Sequence, residues 1–271
     1  MREVDQALAR AYAQRGAGEH SVVPPAPHLP SRVVETPLPT DGVPPECESD
    51  EPRAAESDCG SDSVSLQWPE TIRTIEREYG DRFSRLADAL IEARDRQHLK
   101  VLLFTSCHRA EGRTTLILTL ARALARRPGK TLLVDADLTG PMLCRQLGLR
   151  PQVGLDDVIE DGLALSDALI EARDDHLTLL PLRAPVSHPR EFVASPAWSR
   201  VMARLRREYD LVLLDGSPLF AGLSAAVLHR SVDAAVLVHS RALTGERALQ
   251  RARDVLDAGG VPLLGIAETF V

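Results

Sequence analysis

Six apolar runs of strand length recur between residue 100 and the end of the chain: KVLLFTS, KTLLVDAD, LTLLPL, YDLVLLDGS, DAAVLVHS and PLLGIAE. None shows a strict apolar/polar alternation, so each is expected to be buried on both faces of a sheet. Between them the apolar residues take helical spacing, as in TTLILTLARALARR and SPAWSRVMARLRREY. Apolar strands joined by helical crossovers predict a doubly wound, mostly parallel α/β sheet. A lead-in helix is expected from about Pro69 to Arg96, broken near Gly80, because glycine is a poor helix former.

Upstream of that domain the pattern changes twice. Residues 1–16 carry Val4, Leu8, Ala11 and Tyr12 near helical spacing, and Gly16 ends the run. Residues 17–65 then lose any periodic apolar face and fill with proline and acidic side chains, as in VVPPAPHLPSRVVETPLPTDGVPPECESDEP. Such a segment buries too little surface to offset its ordering entropy, so it is expected to be a disordered, extended tether. The expected organisation is therefore an N-terminal helix (1–16), a Pro/acid-rich linker (17–65) and a folded domain (66–271).

Composition narrows the function classes. No apolar run approaches the roughly 20 residues needed to span a bilayer, and the first residues lack a signal-peptide pattern. The protein is accordingly expected in the cytoplasm. Cys47, Cys59, Cys107 and Cys144 form no C-x-x-C pair and no zinc spacing, which argues against a disulfide or metal framework. A net charge of −7 argues against a general nucleic-acid binder.

The candidate chemistry sits at three strand ends. The first strand runs into SCHRAEGRTT and then a helix; the second ends in LLVDADLTGP, with Asp135 and Asp137; a later one ends in LVLLDGSP, with Asp215. Ligands of open α/β sheets bind at the carboxyl ends of strands. A loop at a helix N-terminus with carboxylates beside it is the layout of a Mg-nucleotide site. Each residue also has a plainer reading. Asp135 and Asp137 would cap the following turn, Thr114 would sit in a first helical turn, and Arg113 would be a solvated first-turn arginine. Cys107 and His108 would merely fill the loop.

The span from about Lys100 to Val271 resembles the bacterial tyrosine kinases (BY-kinases) of exopolysaccharide machinery, relatives of the partition and septum-positioning ATPases with a deviant Walker A loop. The family loop, S-x-x-P-G-x-G-K-[ST]-[ST], corresponds to Ser106–Thr115. The second Walker motif, hhhDxDxR-x-P, corresponds to LLVDADLTGP, and the Walker B strand YDYVIIDTPP to YDLVLLDGSP. GLDDVIEDG, LPLRAPVSHPREFVASPAW and GERALQRARDVLDAGGVPLLGI resemble further family segments in the same order. The first residues also resemble the start of cytoplasmic members that work beside a membrane polysaccharide co-polymerase.

The resemblance implies a P-loop NTPase fold with ATP and Mg²⁺ as cofactors. The N–H groups of Ala110, Glu111, Gly112, Arg113, Thr114 and Thr115 would hold phosphate together with the Arg113 side chain. Thr114 would ligate Mg²⁺ directly and Asp215 through water, with Asp135 near the metal. Asp135 or Asp137 would accept the proton of a tyrosine hydroxyl. The implied partners are a membrane polysaccharide co-polymerase or related inner-membrane protein, met at the inner face of the plasma membrane, and further copies of the chain in a homo-oligomer.

Several family features are altered. The phosphate-gripping lysine is Arg113, a loop glycine is Ala110 and the loop proline is Arg109. Only Tyr12, Tyr79 and Tyr209 are present, without the C-terminal tyrosine cluster of the family, and Glu268 stands near the asparagine that reads adenine. The oligomerisation motif E-x-x-R-x-x-R keeps Arg82 and Arg85, with Tyr79 at the glutamate position. The favoured function is that of a BY-kinase-like protein of exopolysaccharide synthesis or export that binds Mg-ATP and, if active, phosphorylates tyrosine; the main alternative is a catalytically dead scaffold docked on a co-polymerase. A positioning ATPase is a third, less favoured by the LPLRAPVSHPREFVASP segment.

Overall fold

The computed structural model describes residues 64–221 and 231–269. The expected N-terminal helix and nearly all of the expected tether lie outside these residues. Along the described chain run α1 (Glu70–Gln97), β1 (Val101–Ser106), α2 (Arg113–Ala125), β2 (Thr131–Ala136), α3 (Leu143–Leu147), α4 (Leu155–Glu160) and α5 (Leu165–Ala168). They are followed by β3 (Ile170–Ala172), β4 (Leu177–Leu180), α6 (Pro189–Ala194), α7 (Pro196–Glu208), β5 (Leu211–Gly216), β6 (Ala234–Ser240), α8 (Glu246–Ala258) and β7 (Leu263–Thr269).

The strands form one sheet in the order β3-β4-β2-β5-β1-β6-β7. Every pairing is parallel except that of β3 with β4. This is the doubly wound, mostly parallel sheet that the apolar runs predict. All six predicted strands form. The short strand β3, which the apolar pattern did not flag, is an antiparallel edge.

Burial on both faces follows from the side-chain alternation. Val101 and Leu103 of β1 face one core, with Leu132, Val134, Val212 and Leu214 from neighbouring strands. That face is covered by Leu155 and Val158 of α4, Trp198 and Leu205 of α7 and Leu256 of α8. Leu102 and Phe104 face the other core, with Leu133 and Leu213, beneath α1 and α2 through Ile72, Leu90, Ile117 and Leu120. Edge strand β7 departs from the expectation: all seven of its residues are only half-buried.

The helix α1 corrects a second expectation. It runs 28 residues without a break at Gly80. A glycine in a helix interior costs about 1 kcal/mol relative to alanine, and here the contacts of α1 with α2 outweigh that. Glu76 binds Arg122 of α2 at 2.9 Å and also Arg126, while Asp88 binds Arg127 at 2.9 Å. These ties hold the helix on both sides of the glycine. Among the described residues no helix is long and apolar enough to cross a membrane.

Candidate nucleotide site

Strand order sets the site. β2 and β5 are neighbours, and Asp135 and Asp215 are directly paired in their register. β1 lies on the other side of β5, so the loop after β1 comes up beside both acids. The sheet therefore brings together all three carboxylates and the loop that the sequence singled out. The loop, Asp137, Met142 and Gln146 line a cavity of about 190 Å³.

The loop keeps its turn at a cost. Ala110 has φ 62° and Gly112 has φ 77°. The left-handed region is open to glycine but costs an L-residue roughly 1–2 kcal/mol, so Ala110 is strained. At Gly112 the space is also close: a Cβ there would lie 3.2 Å from the Thr269 methyl.

Glu111 was expected to contribute only its backbone. Its side chain turns inward instead and is fully buried. One oxygen accepts the His108 N–H at 2.7 Å; the other accepts the Thr244 hydroxyl and lies 3.4 Å from the Ser240 N–H. The Glu111 carbonyl accepts the Thr269 hydroxyl at 2.7 Å. The loop is thus fastened to the ends of β6 and β7. Sequence reading missed Glu111 as an anchor, because the donors it needs come from residues 129 to 158 positions away.

The solvated reading of Arg113 is wrong. Its side chain is 8 % exposed and points into the sheet end rather than toward the loop's open side. Nε donates to Asp215 Oδ1 at 2.7 Å, Nη2 to Asp137 Oδ2 at 2.8 Å and Nη1 to Ser106 Oγ at 3.3 Å. Burial opposes its charge, but the two carboxylates outweigh this and hold the guanidinium protonated above its ordinary range. Lysine has one compact ammonium; arginine's planar fork can span two acceptors, which is what it does here.

The carboxylates are engaged accordingly. Asp137 accepts from Arg113, from Ser217 Oγ at 2.9 Å, from Thr139 Oγ1 at 3.0 Å and from Arg109 Nη1 at 3.3 Å. Asp215 accepts from Arg113 and, at 2.8 Å, from Thr114 Oγ1. Burial pushes the Asp215 carboxyl up, and Arg113 pulls against it. Asp135 has a different role. Its oxygens accept the Asp137, Met142 and Leu143 N–H groups at 3.2, 3.0 and 3.0 Å. It therefore caps the turn into α3, the plainer reading. Burial, with the charge of Asp215 beside it, pushes its carboxyl up to about 7.

Arg109 adds a second guanidinium at the cavity mouth. It is half-exposed, and its Nη2 is 2.8 Å from Thr139 Oγ1. Thr139 occupies the arginine position of the second Walker motif, so a guanidinium missing from that turn is supplied from the loop. Gly140 makes room for it, since a Cβ there would lie 2.7 Å from Arg109 Nη1.

His108 is exposed and Cys107 is buried. The His108 ring lies 5.3 Å from that of Phe220. Cys107 is buried, which pushes its thiol up to about 11 and keeps it protonated. Glu268 pairs with Arg241 at 2.7 Å.

The residues do not fit a divalent cation in this arrangement. Mg²⁺ takes an octahedron of oxygen ligands at about 2.0–2.1 Å, yet one oxygen of each of Asp137 and Asp215 already holds a guanidinium and the other accepts hydroxyl hydrogen bonds. Two unit charges 4 Å apart interact by about 4 kcal/mol at an effective dielectric constant of about 20, so a divalent cation beside Arg113 meets roughly twice that in repulsion. The phosphate-binding N–H groups of the loop are a separate matter, because the Arg113 side chain is engaged with Asp137 and Asp215.

Fold and site together define a P-loop protein whose three acids surround a loop of deviant Walker A type. No family model matches the chain. It is 30 % identical over 171 residues to the tyrosine-protein kinase YwqD of Bacillus subtilis strain 168, covering 63 % of this chain and 72 % of that one. Among solved structures it is similar to the VpsO kinase domain, with TM-score 0.64 and 25 % identity over 73 % of this chain and 98 % of that one. It is also similar to the septum site-determining protein MinD of Pyrococcus horikoshii, solved with Mg-ADP: TM-score 0.51, 25 % identity, 62 % of this chain and 68 % of that one. The chain belongs to the bacterial tyrosine-protein kinase family.

Proposed function

We propose that this chain is a non-transferring member of its family: a P-loop domain that serves exopolysaccharide synthesis or export as a docking and regulatory component. One observation carries the reading. The Arg113 guanidinium is already paired with Asp137 and Asp215, the acids that metal handling and proton acceptance would need. Asp135 is no substitute, since three backbone N–H groups fill its oxygens. Phosphoryl transfer depends on positioning and on cations that neutralise the developing charge, and this arrangement spends its cation on the protein itself.

In this reading the domain of residues 66–271 is carried on the tether of 17–65. The helix of 1–16 docks on the cytoplasmic part of a membrane polysaccharide co-polymerase, which holds the protein at the inner face of the membrane. The test is incubation of the full chain with Mg-ATP and a co-polymerase cytoplasmic segment, with phosphotyrosine read by mass spectrometry. No transfer above background is expected; transfer to tyrosine on either protein would refute the reading.

A second reading is favoured by the convergence of Thr114, Asp135, Asp137 and Asp215 on one loop. In it the chain is a Mg-ATP-dependent tyrosine kinase, and Arg113 swings out to the phosphate. Both buried ion pairs must break for that movement, which is why we rank it second.

A further inference from the structure

We infer that the Arg113 guanidinium stands where the family's site uses a divalent cation, so that the nucleotide taken by this loop is the metal-free di- or triphosphate. The inference rests on the reading of the chain as a non-transferring family member and concerns what its site still binds.

A nucleotide phosphate tail brought next to buried carboxylates is repelled by them. A metal placed between the two normally removes that repulsion while bridging the phosphate oxygens. Here the carboxylates are neutralised from within. Asp137 faces Arg113 at 2.8 Å and Arg109 at 3.3 Å, and Asp215 faces Arg113 at 2.7 Å. Two guanidinium charges thus oppose two carboxylates before any ligand arrives. Asp135 lies behind them, engaged by backbone N–H groups. The phosphate tail then needs no metal to shield it.

The other half of the site stays free for the anion. Thr114 and Thr115 begin α2 beside the cavity and are only partly buried, and the first N–H groups of a helix are open donors for phosphate. Arg109 is the exposed cation at the rim. Its hold on Thr139 is a single hydrogen bond of 2.8 Å, which a phosphate oxygen can replace.

The experiment is calorimetric titration of the full chain with ADP and with ATP, in Mg²⁺ and in EDTA, repeated on Arg113→Lys. The native chain is expected to bind ADP in EDTA at least as tightly as in Mg²⁺. Arg113→Lys, whose single ammonium cannot span both acids, is expected to bind at least about tenfold more tightly in Mg²⁺ than in EDTA. Arg109→Gln, checked for fold by circular dichroism, is expected to weaken metal-free binding. Binding by the native chain that requires Mg²⁺ overturns the inference, as does absence of nucleotide binding under both conditions. Neither result touches the non-transferring reading, which fails only if phosphotyrosine forms.

Discussion

Removal of the Arg113 side chain should destabilise the domain far more than loss of a surface charge. In Arg113→Ala, Asp137 and Asp215 lose the guanidinium they share, and each is almost completely buried. Breaking a buried pair by deleting one partner costs about 3–5 kcal/mol, because the remaining charge has no compensation. Arg109 stays on Asp137, and Thr114 and Ser217 still donate hydrogen bonds, so the lower half of that range is expected. For a domain of this size, 1 kcal/mol corresponds to roughly 2–4 °C in Tm, which gives a fall of about 6–16 °C. Urea unfolding followed by the fluorescence of the buried Trp68 and Trp198 would measure the loss directly. Acidification should shrink the difference between variant and native chain, since protonated carboxylates need no counter-charge. Mg²⁺ should restore part of the stability of the variant, because the acids become free to ligate it, and should not stabilise the native chain. A loss below about 1 kcal/mol, the scale of an exposed ion pair, would refute the account of the site.

Three further outcomes are expected. Ala110→Gly should stabilise the domain by up to about 1 kcal/mol, as relief of the left-handed strain exceeds the added freedom of the unfolded chain; a lower urea midpoint would contradict this. Gly216→Ala should cost about 1–3 kcal/mol through overpacking, because its Cβ would press on Leu103 Cδ1 in the buried sheet, and thermal melting would show it. Asp135 titrates near 7 when folded against 3.8 ordinarily, so the folded state binds the extra proton between these values. Its contribution to stability is therefore present at low pH and is lost as pH rises through about 4 to 7. Unfolding curves of the native chain and Asp135→Asn should diverge over that range, and parallel pH dependences would rule the shift out.

The fold was legible because each strand of the central sheet is an unbroken apolar run, and such runs demand cover on both faces. β3 was not, since Ile170–Ala172 is three residues long and owes its pairing to β4 rather than to its own pattern. Continuity of α1 through Gly80 was hidden for a similar reason: local propensity argues for a break, and the ion pairs that override it involve residues some 40 to 50 positions distant. At the site, strand-end position located Asp135, Asp137 and Asp215, but not what each one does. Whether a carboxylate caps a turn, as Asp135 does, or faces a guanidinium, as Asp137 and Asp215 do, depends on neighbours across the sheet. The direction of Arg113 was equally out of reach, because a first-turn arginine turns outward unless acceptors wait behind it.

The Arg113–Asp137–Asp215 cluster also changes what persistence of those acids would mean over evolutionary time. In a working transferase, selection on chemistry keeps such residues. In this chain folding bears on them too, since loss of Arg113 leaves two buried carboxylates without their guanidinium, and loss of either acid strips a buried guanidinium nitrogen of its acceptor. Folding alone therefore resists the loss of any one of them, whether or not turnover matters. Acidic Walker residues beside an arginine of this kind answer to folding as well as to chemistry, so their presence alone is not proof of kinase activity.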